Sequence, residues 1–335
     1  MITKIYEKVK NFILENLKFF IIVLLIFCLF KIELPFVVYT PGGIVPLEKR
    51  ISIDGANKSS GSLNMSYVSL RKGNIPVVLL SYVIPNWDLF SKDEITNNDE
   101  SVDELLKMEK LYMTSSINNA TILAYQKANK SIKISKTINT VVYIDEKANT
   151  NIQKYDEILS VDGKEISNID ELKSIVKTHQ KDDKINITVK RNKKVVSCYA
   201  KVLEIEDELK IGIAFLTTFE YETDPKIEIK TKTTESGSSG GLMLSLAIYN
   251  ALVKEDITKG QKIVGTGTID KNGNVGEIDG VKYKLLGAAK KKADLFICPE
   301  SNYDEAIKVK EKYKLSIKIV SVKTFDEALE VLKNN

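Results

Sequence analysis

Residues 234–253 read TESGSSGGLMLSLAIYNALV. The stretch opens as a serine–glycine loop and turns into a helix, with Leu242, Leu246, Tyr249 and Val253 on one face. Small residues at a helix start leave backbone N–H groups free, and the helix dipole adds positive character there. Such a place can hold a phosphate or stabilise an oxyanion. No G-x-x-x-x-G-K-[ST] pattern occurs in the chain, which weakens the phosphate reading. A merely flexible turn is disfavoured because the loop runs directly into an amphipathic helix.

A second stretch follows at residues 264–291, VGTGTIDKNGNVGEIDGVKYKLLGAAKK. It predicts a strand, a turn at Asn272-Gly273, a second strand and a helix from about Asp279. Lys282 falls in the first turn of that helix, where its charge opposes the dipole. Taken alone, Lys282 would pass for a solvated lysine in a lysine-rich chain.

Together the two stretches resemble the proteolytic domain of Lon-type serine proteases, and most of all the membrane-anchored PDZ-Lon proteins of Gram-positive bacteria. The run Ser236-Gly237-Ser238-Ser239-Gly240-Gly241 is similar to the family's "DGPSAG"-like loop, which implies Ser239, not Ser238, as the nucleophile. The motif "TGxITxxGxVxPIGGLKxK" runs without a gap over residues 266–284, and the resemblance puts the catalytic lysine on Lys282. The separation, 282 − 239 = 43 residues, is the family's usual one. Residues 294–302 (DLFICPESN) resemble the "P-x-x-N" strand end that follows. The first motif departs at Ser236, Ser238 and Gly240, the second at Asp270, Glu277, Asp279 and Val281. Residues 61–65 and 113–125 resemble the early strand and helix of the same domain, which implies an insertion between its halves.

The chemistry expected of this pattern follows from the residue types. A serine hydroxyl is a weak nucleophile and needs a base. The single histidine, His179, lies in the polar stretch THQKDD and reads as solvated loop, so a Ser-His-Asp triad is not expected. A lysine serves instead if a dry pocket lowers its pKa, and Ile278, Val281, Leu285 and Leu286 are the expected walls for Lys282. Thr266 is expected to aim that lysine by a hydrogen bond, the alternative being an ordinary strand threonine. The backbone around Gly237, Ser238 and Ser239 is the expected oxyanion hole.

Upstream, residues 131–203 have a different texture: a strand TVVYI, then YDEILSVDGKEI, a helix NIDELKSIVKTH and the hairpin KINITVKRNKKVVSCYAKV. The order resembles a bacterial PDZ domain, whose "GD-x-I-x-x-V-x-G" core is matched from Tyr155 to Gly163 with tyrosine at the first glycine. A glycine-rich carboxylate-binding loop is not evident in residues 131–139. A small β-rich spacer domain is the alternative. Residues 41–43 (PGG) and 57–62 read as turns, residues 91–100 as polar loop and residues 103–130 as helix.

At the N-terminus, residues 19–30 (FFIIVLLIFCLF) are apolar without interruption. Twelve residues rise only about 18 Å as helix, against about 30 Å of hydrocarbon. The span is therefore expected to borrow from residues 12–14 and 34–38, with Lys18 and Lys31 snorkelling. The absence of a small-x-small site points to an uncleaved signal anchor rather than a cleaved leader. Lys4, Lys8, Lys10 and Lys18 precede the run and predict a cytoplasmic N-terminus, with the catalytic part extracellular on a single-pass cell-membrane protein.

Composition narrows the partners. With 49 basic and 45 acidic residues the net charge is only +4. Arg50, Arg71 and Arg191 are the only arginines, so bidentate reading of nucleic acid is not expected. One histidine and three separated cysteines exclude a zinc ribbon and a disulfide framework, and Cys198 and Cys298 read as buried thiols.

The expected architecture is α+β: a signal-anchor unit (1–36), a first part of a Lon-like domain (37–130), a PDZ-like insert (131–203) and a Lon-type catalytic part (204–335). The expected function is an ATP-independent Ser-Lys endopeptidase, needing no cofactor, metal, nucleotide or nucleic acid, that cleaves exported peptides or unfolded extracellular segments. Two other readings stay open: a non-catalytic PDZ scaffold on a degenerate protease fold, and a signal-peptidase-like Ser-Lys enzyme.

Overall fold

In the computed structural model, which describes residues 2–95, 101–205 and 207–334, strands from the beginning and the end of the chain share one sheet. Helices α1 (Ile2–Glu15) and α2 (Leu17–Lys31) come first, then β1 (Glu33–Pro46), β2 (Ile51–Ile53) and β3 (Ser62–Asn74). Helix α3 (Ile75–Ser81), β4 (Asp88–Ser91) and the one-turn α4 (Lys92–Ile95) precede the long α5 (Val102–Lys127). The insert holds β5 (Ser131–Ile144), β6 (Glu157–Val161), α6 (Ile169–Val176), β7 (Lys184–Arg191) and β8 (Lys194–Lys201). Then come β9 (Leu203–Ile205), β10 (Glu208–Lys210), β11 (Ile213–Asp224) and β12 (Ile227–Ile229). The last third runs α7 (Gly241–Leu252), β13 (Lys262–Gly265), β14 (Thr268–Ile269), β15 (Val275–Gly276), α8 (Val281–Lys290), β16 (Leu295–Pro299), α9 (Tyr303–Lys312), β17 (Lys318–Val322) and α10 (Phe325–Asn334). Of the polar stretch 91–100, residues 96–100 lie outside the described residues.

The larger sheet has the order β17-β16-β13-β3-β1-β4. Strand β13 runs parallel to both β3 and β16, so residues 62–65 and 262–265 are direct neighbours across the insert. Both faces are covered. On one side α5, α7 and α10 bury Leu123, Tyr125, Leu242, Met243, Leu246 and Phe325 against Leu63, Ile263 and Ile297. On the other, α8 and α9 bury Val281, Leu285, Ala306 and Val309 against Val264, Phe296 and Cys298. All five residues of β16 are buried, which is what a parallel strand covered on both faces requires. Cys198 and Cys298 are buried free thiols, the second pushed up to about 12 by burial.

The smaller sheet, β11-β5-β6-β7-β8, encloses its own core of Val161, Leu172, Ile185, Ile187 and Val189. It extends further than residue 203. Strand β11 pairs with β5 from Ile213↔Ile144 to Asp224↔Ser131, so residues 213–224, expected in the catalytic part, complete this sheet. Tyr155, at the motif's glycine position, has φ 73°, the left-handed conformation that glycine favours. The carboxylate of Asp156, 1% exposed, takes a fork of bonds at 2.8 and 2.6 Å from Arg191. His179 is not a solvated loop residue: it is half-buried, with Nε2 3.1 Å from the Asp162 carboxylate and Nδ1 3.0 Å from the Ile175 carbonyl.

Residues 41–43 make no turn. They form an irregularity inside β1, between Pro41 and Ile44, where the pairing with β3 shifts register. A Cβ on Gly42 would lie 2.1 Å from the Tyr67 carbonyl oxygen, and a Cβ on Gly287 of α8 would lie 3.3 Å from Gly42. The bare backbone at Gly42 thus lets β3 and α8 close on β1. Gly42→Ala is expected to destabilise the fold by about 1–3 kcal/mol, the usual cost of overpacking, seen as an earlier thermal unfolding transition.

The N-terminal apolar run differs from expectation. Residues 34–38 lengthen no helix: they lie in β1, where Val37 and Val38 are 1% and 0% exposed. Residues 12–14 belong to α1, which is bent from α2 by 71° at Asn16, whose side-chain amide donates to the Phe12 carbonyl at 2.8 Å. Among the described residues no single helix is long and apolar enough to cross a membrane; α1 and α2 qualify only as a bent pair.

Candidate active site

The serine–glycine loop is pinned from several elements. Arg50 pairs with Glu235, and the Lys230 amide donates to the Arg50 carbonyl at 2.8 Å, fixing the approach to the loop. Gly237 has φ 95°, and its amide donates to the Glu109 carbonyl on α5 at 3.0 Å. The Ser238 carbonyl accepts from the Ser116 hydroxyl of α5 at 2.9 Å. The Ser239 carbonyl accepts from the Gly267 amide at 2.8 Å and from the Thr266 hydroxyl at 3.0 Å. Ser239 is half-buried, two residues before the first residue of α7.

These contacts change two expectations. The Gly237 amide is occupied by Glu109 and is not free for an oxyanion. The Ser238 and Ser239 amides donate to no group among the described residues and keep that role open. Thr266 is 0% exposed and turns its hydroxyl to the serine's own carbonyl, so it fixes the peptide of Ser239 and does not aim a lysine.

Lys282 is not in a dry pocket. Its Nζ lies 2.5 Å from the Asp88 carboxylate on the edge strand β4, and its side chain is 26% exposed. The Tyr283 hydroxyl donates to the same oxygen at 2.6 Å. Burial pushes the Asp88 carboxyl upward, but the hydrogen bonds from Lys282 and Tyr283 outweigh it and hold the group below its usual range. Tyr283 also meets Tyr39 edge-on, with ring centroids 5.9 Å apart.

The dry lysine is Lys284, two residues on and 4% exposed. The helix period explains it: Val281, Lys284, Leu285 and Ala288 fall on one face of α8, and all four are buried. Burial lowers the pKa of Lys284 to about 8, against the opposing pull of Asp279, Glu109 and Glu305. The charge coupling is mutual. Burial raises Glu109 above the usual carboxylate range, Asp279 raises it further and Lys284 partly offsets both. Burial likewise raises Tyr39, helped by Asp279 and Glu109.

Glu109 ties the lysine to the serine loop. Its carbonyl holds the Gly237 amide, and its carboxylate would come within 3.2 Å of a Cβ placed on Gly237. Any side chain there would also be strained by the positive φ. A carboxylate from α5, far upstream in sequence, thus stands beside the loop at whose first position the motif's aspartate is replaced by Ser236. Lys284 was within reach of sequence reasoning through the helical period. Glu109 and Asp88 were not, because nothing local marks a residue that packs across the fold.

The chain's sequence matches known proteins in the same two regions. Residues 221–334 match the family described as Lon protease (S16) C-terminal proteolytic domain, and residues 133–202 match the PDZ domain family. The chain is 32% identical over 95 residues to the Archaeal Lon protease of Halobacterium salinarum, covering 28% of this chain and 13% of that protein. It is 27% identical over 154 residues to the Lon protease of Campylobacter jejuni, covering 42% and 18%. The chain thus spans less than a fifth of the length of these curated relatives. A solved PDZ domain of an SdrC-like protein from Listeria monocytogenes covers 25% of the chain and 93% of its own length, at 18% identity and a TM-score of 0.23. The chain combines a PDZ domain with a Lon-type proteolytic domain.

Proposed function

We propose that the protein is a membrane-tethered, ATP-independent serine endopeptidase in which Ser239 is the nucleophile and Lys284, not Lys282, is its base. The observation that carries the proposal is the burial of Lys284 with its pKa lowered to about 8, coupled through Glu109 to the loop that presents Ser239. With that pKa, roughly a tenth of the lysine is neutral at pH 7. Neutral Lys284 takes the Ser239 hydroxyl proton as the oxygen attacks the scissile carbonyl. The resulting ammonium then donates to the leaving amine, and a water completes the cycle through the acyl-enzyme. The Ser238 and Ser239 amides, with the positive end of α7, face the oxyanion that forms. The Ser116 hydroxyl holds the Ser238 carbonyl, whose peptide plane carries the Ser239 amide, and Thr266 and Gly267 hold the Ser239 carbonyl that follows.

Substrates in this reading are exported peptides and unstructured segments, admitted without nucleotide-driven unfolding. The tether is the apolar α2, with α1 lying along the cytoplasmic face of the membrane. In α1 the apolar Ile5, Val9, Phe12 and Ile13 fall at helical spacing, with Lys4, Lys8 and Lys10 among them. The catalytic part then lies outside.

The test uses a serine-reactive probe and an unstructured fluorogenic peptide, with the full chain in detergent. Ser239→Ala is expected to abolish both labelling and hydrolysis, while Ser238→Ala, which keeps every backbone contact, loses less than about tenfold. Addition of ATP with magnesium is expected to leave the rate unchanged. Full activity in Ser239→Ala removes the nucleophile, and lack of labelling in the parent favours a PDZ scaffold on a protease fold.

A further inference from the structure

In a chain that is 28% charged, residues 75–87 (IPVVLLSYVIPNW) carry no charge at all. They comprise α3 and the loop that follows it, and no residue of α3 is buried. Leu79 is 63% exposed, Tyr82 77% and Val83 78%. Scattered exposed apolar residues need no explanation, but these are contiguous and form one tip. The base of α3 rests on β1 and β3, but the outer end, with Leu79, Leu80, Tyr82 and Val83, is turned away from the domain, and its chemistry asks for an apolar medium.

The position of the tip names that medium. Asn74 caps α3, its side chain accepting from the Val77 amide at 3.0 Å, and the same side chain donates to the Phe30 carbonyl in the last turn of α2 at 3.4 Å. Helix α3 therefore begins where the apolar helix ends. Around this point stand the groups found at a membrane–water boundary. Lys31 lies over the Phe27 ring, and Arg71 lies over the ring of Trp87, the only tryptophan in the chain. An aromatic ring at the boundary with basic side chains beside it is the usual arrangement where a protein meets lipid headgroups.

We propose that residues 75–87 form a monotopic arm that sinks into the interface of the bilayer holding α2, on the side where the catalytic domain emerges. The proposal rests on the tether reading above and adds a second lipid contact to it. An apolar helix lying in the interface reaches about 5–10 Å below the headgroups. A second contact offsets the shortness of α2, whose 15 residues rise only about 22 Å against about 30 Å of hydrocarbon. It also fixes the orientation of the sheet, because a single helix leaves a domain free to swivel. The arm ends at Asp88, which holds Lys282 and Tyr283 on α8, so lipid contact is passed to the helix that carries Lys284.

Trp87 reports on the arm without labelling. The full chain is reconstituted in phosphatidylcholine vesicles with bromine atoms either high or low on the acyl chains. Trp87 emission is expected to fall about twofold or more with the high bromines and less with the low ones, as the interfacial depth requires. In the double variant Leu79→Ser, Val83→Ser, both at exposed positions, the vesicles are expected to keep the protein while the quenching drops at least about twofold. Protein that floats with the vesicles while Trp87 emission ignores the bromines leaves the tether standing and overturns the arm. Trp87 shielded from aqueous iodide yet untouched by bromolipid means that a second copy covers the tip, which also overturns it. Protein that fails to float at all removes the tether, and the arm with it.

Discussion

Lys284→Met is expected to lower peptide hydrolysis by about a thousandfold or more, and Lys282→Met by less than about tenfold. The two lysines are two residues apart on α8, about half a turn of helix, and differ in everything around them. Lys282 is partly exposed and meets the Asp88 carboxylate at 2.5 Å, so its nitrogen is already engaged away from the serine loop. Lys284 has burial on its side, and burial disfavours the charged form. A base must be neutral before the reaction, and burial prepares Lys284 for that. Lys284→Arg is expected to be as inactive as Lys284→Met, since a guanidinium stays protonated at any working pH. The residual effect of Lys282→Met has a named cause: it leaves Asp88 without its cation. Asp88→Asn removes the same pair from the other side, so the two variants are expected to behave alike, each losing up to about 1 kcal/mol of stability at this partly exposed site. Steady-state rates and denaturant midpoints of the four variants check the assignment together. An inactive Lys282→Met beside an active Lys284→Met would reverse it.

How much of this was legible beforehand differs from element to element. The serine loop and α7 were readable because their signal is local: small residues, then an apolar period of a helix whose face is buried. The strand β16 was legible through the resemblance of residues 294–302 to the family's strand end, and its burial on both faces agrees with that reading. The PGG irregularity was misread as a turn because Gly42 answers to Tyr67 and Gly287, which are near only in space. The choice between Lys282 and Lys284 sat on the edge of legibility. Motif matching favoured the first, whereas the burial period of α8, counted from Val281, puts the second inward. The N-terminal helix was legible as apolar but not in extent. Residues 34–38 look equally apolar to a membrane and to a sheet, and the pairing of β1 with β3 decides the matter. Glu109 could not have been read at all. Its role depends on α5, which precedes the insert, being packed against a loop that follows it.

Activity is expected to rise with pH through about 8 and to level off above it, because Lys284 must lose its proton to act. The acid limb should respond to the groups that face the lysine. Asp279, Glu109 and Glu305 all favour its charged form, so Glu109→Gln and Asp279→Asn are each expected to move the limb to lower pH. Stability carries the opposite face of the same shift. The folded pKa, about 8, lies below the ordinary value of about 10.4, so folding is opposed by the charged lysine. Above about 10.4 the folded and unfolded chains are both neutral at this site and the penalty vanishes. As pH falls toward 8 the unfolded chain binds the proton first, and the penalty grows. Below 8 both states are charged and it stays constant, at about 3 kcal/mol. Lys284→Met deletes the titrating group, so its stability relative to the parent should be greatest below pH 8 and converge on it as pH rises. Denaturant unfolding at a series of pH values reads that difference directly, and a gap that is flat with pH would mean that Lys284 is not held in the dry state its base role requires.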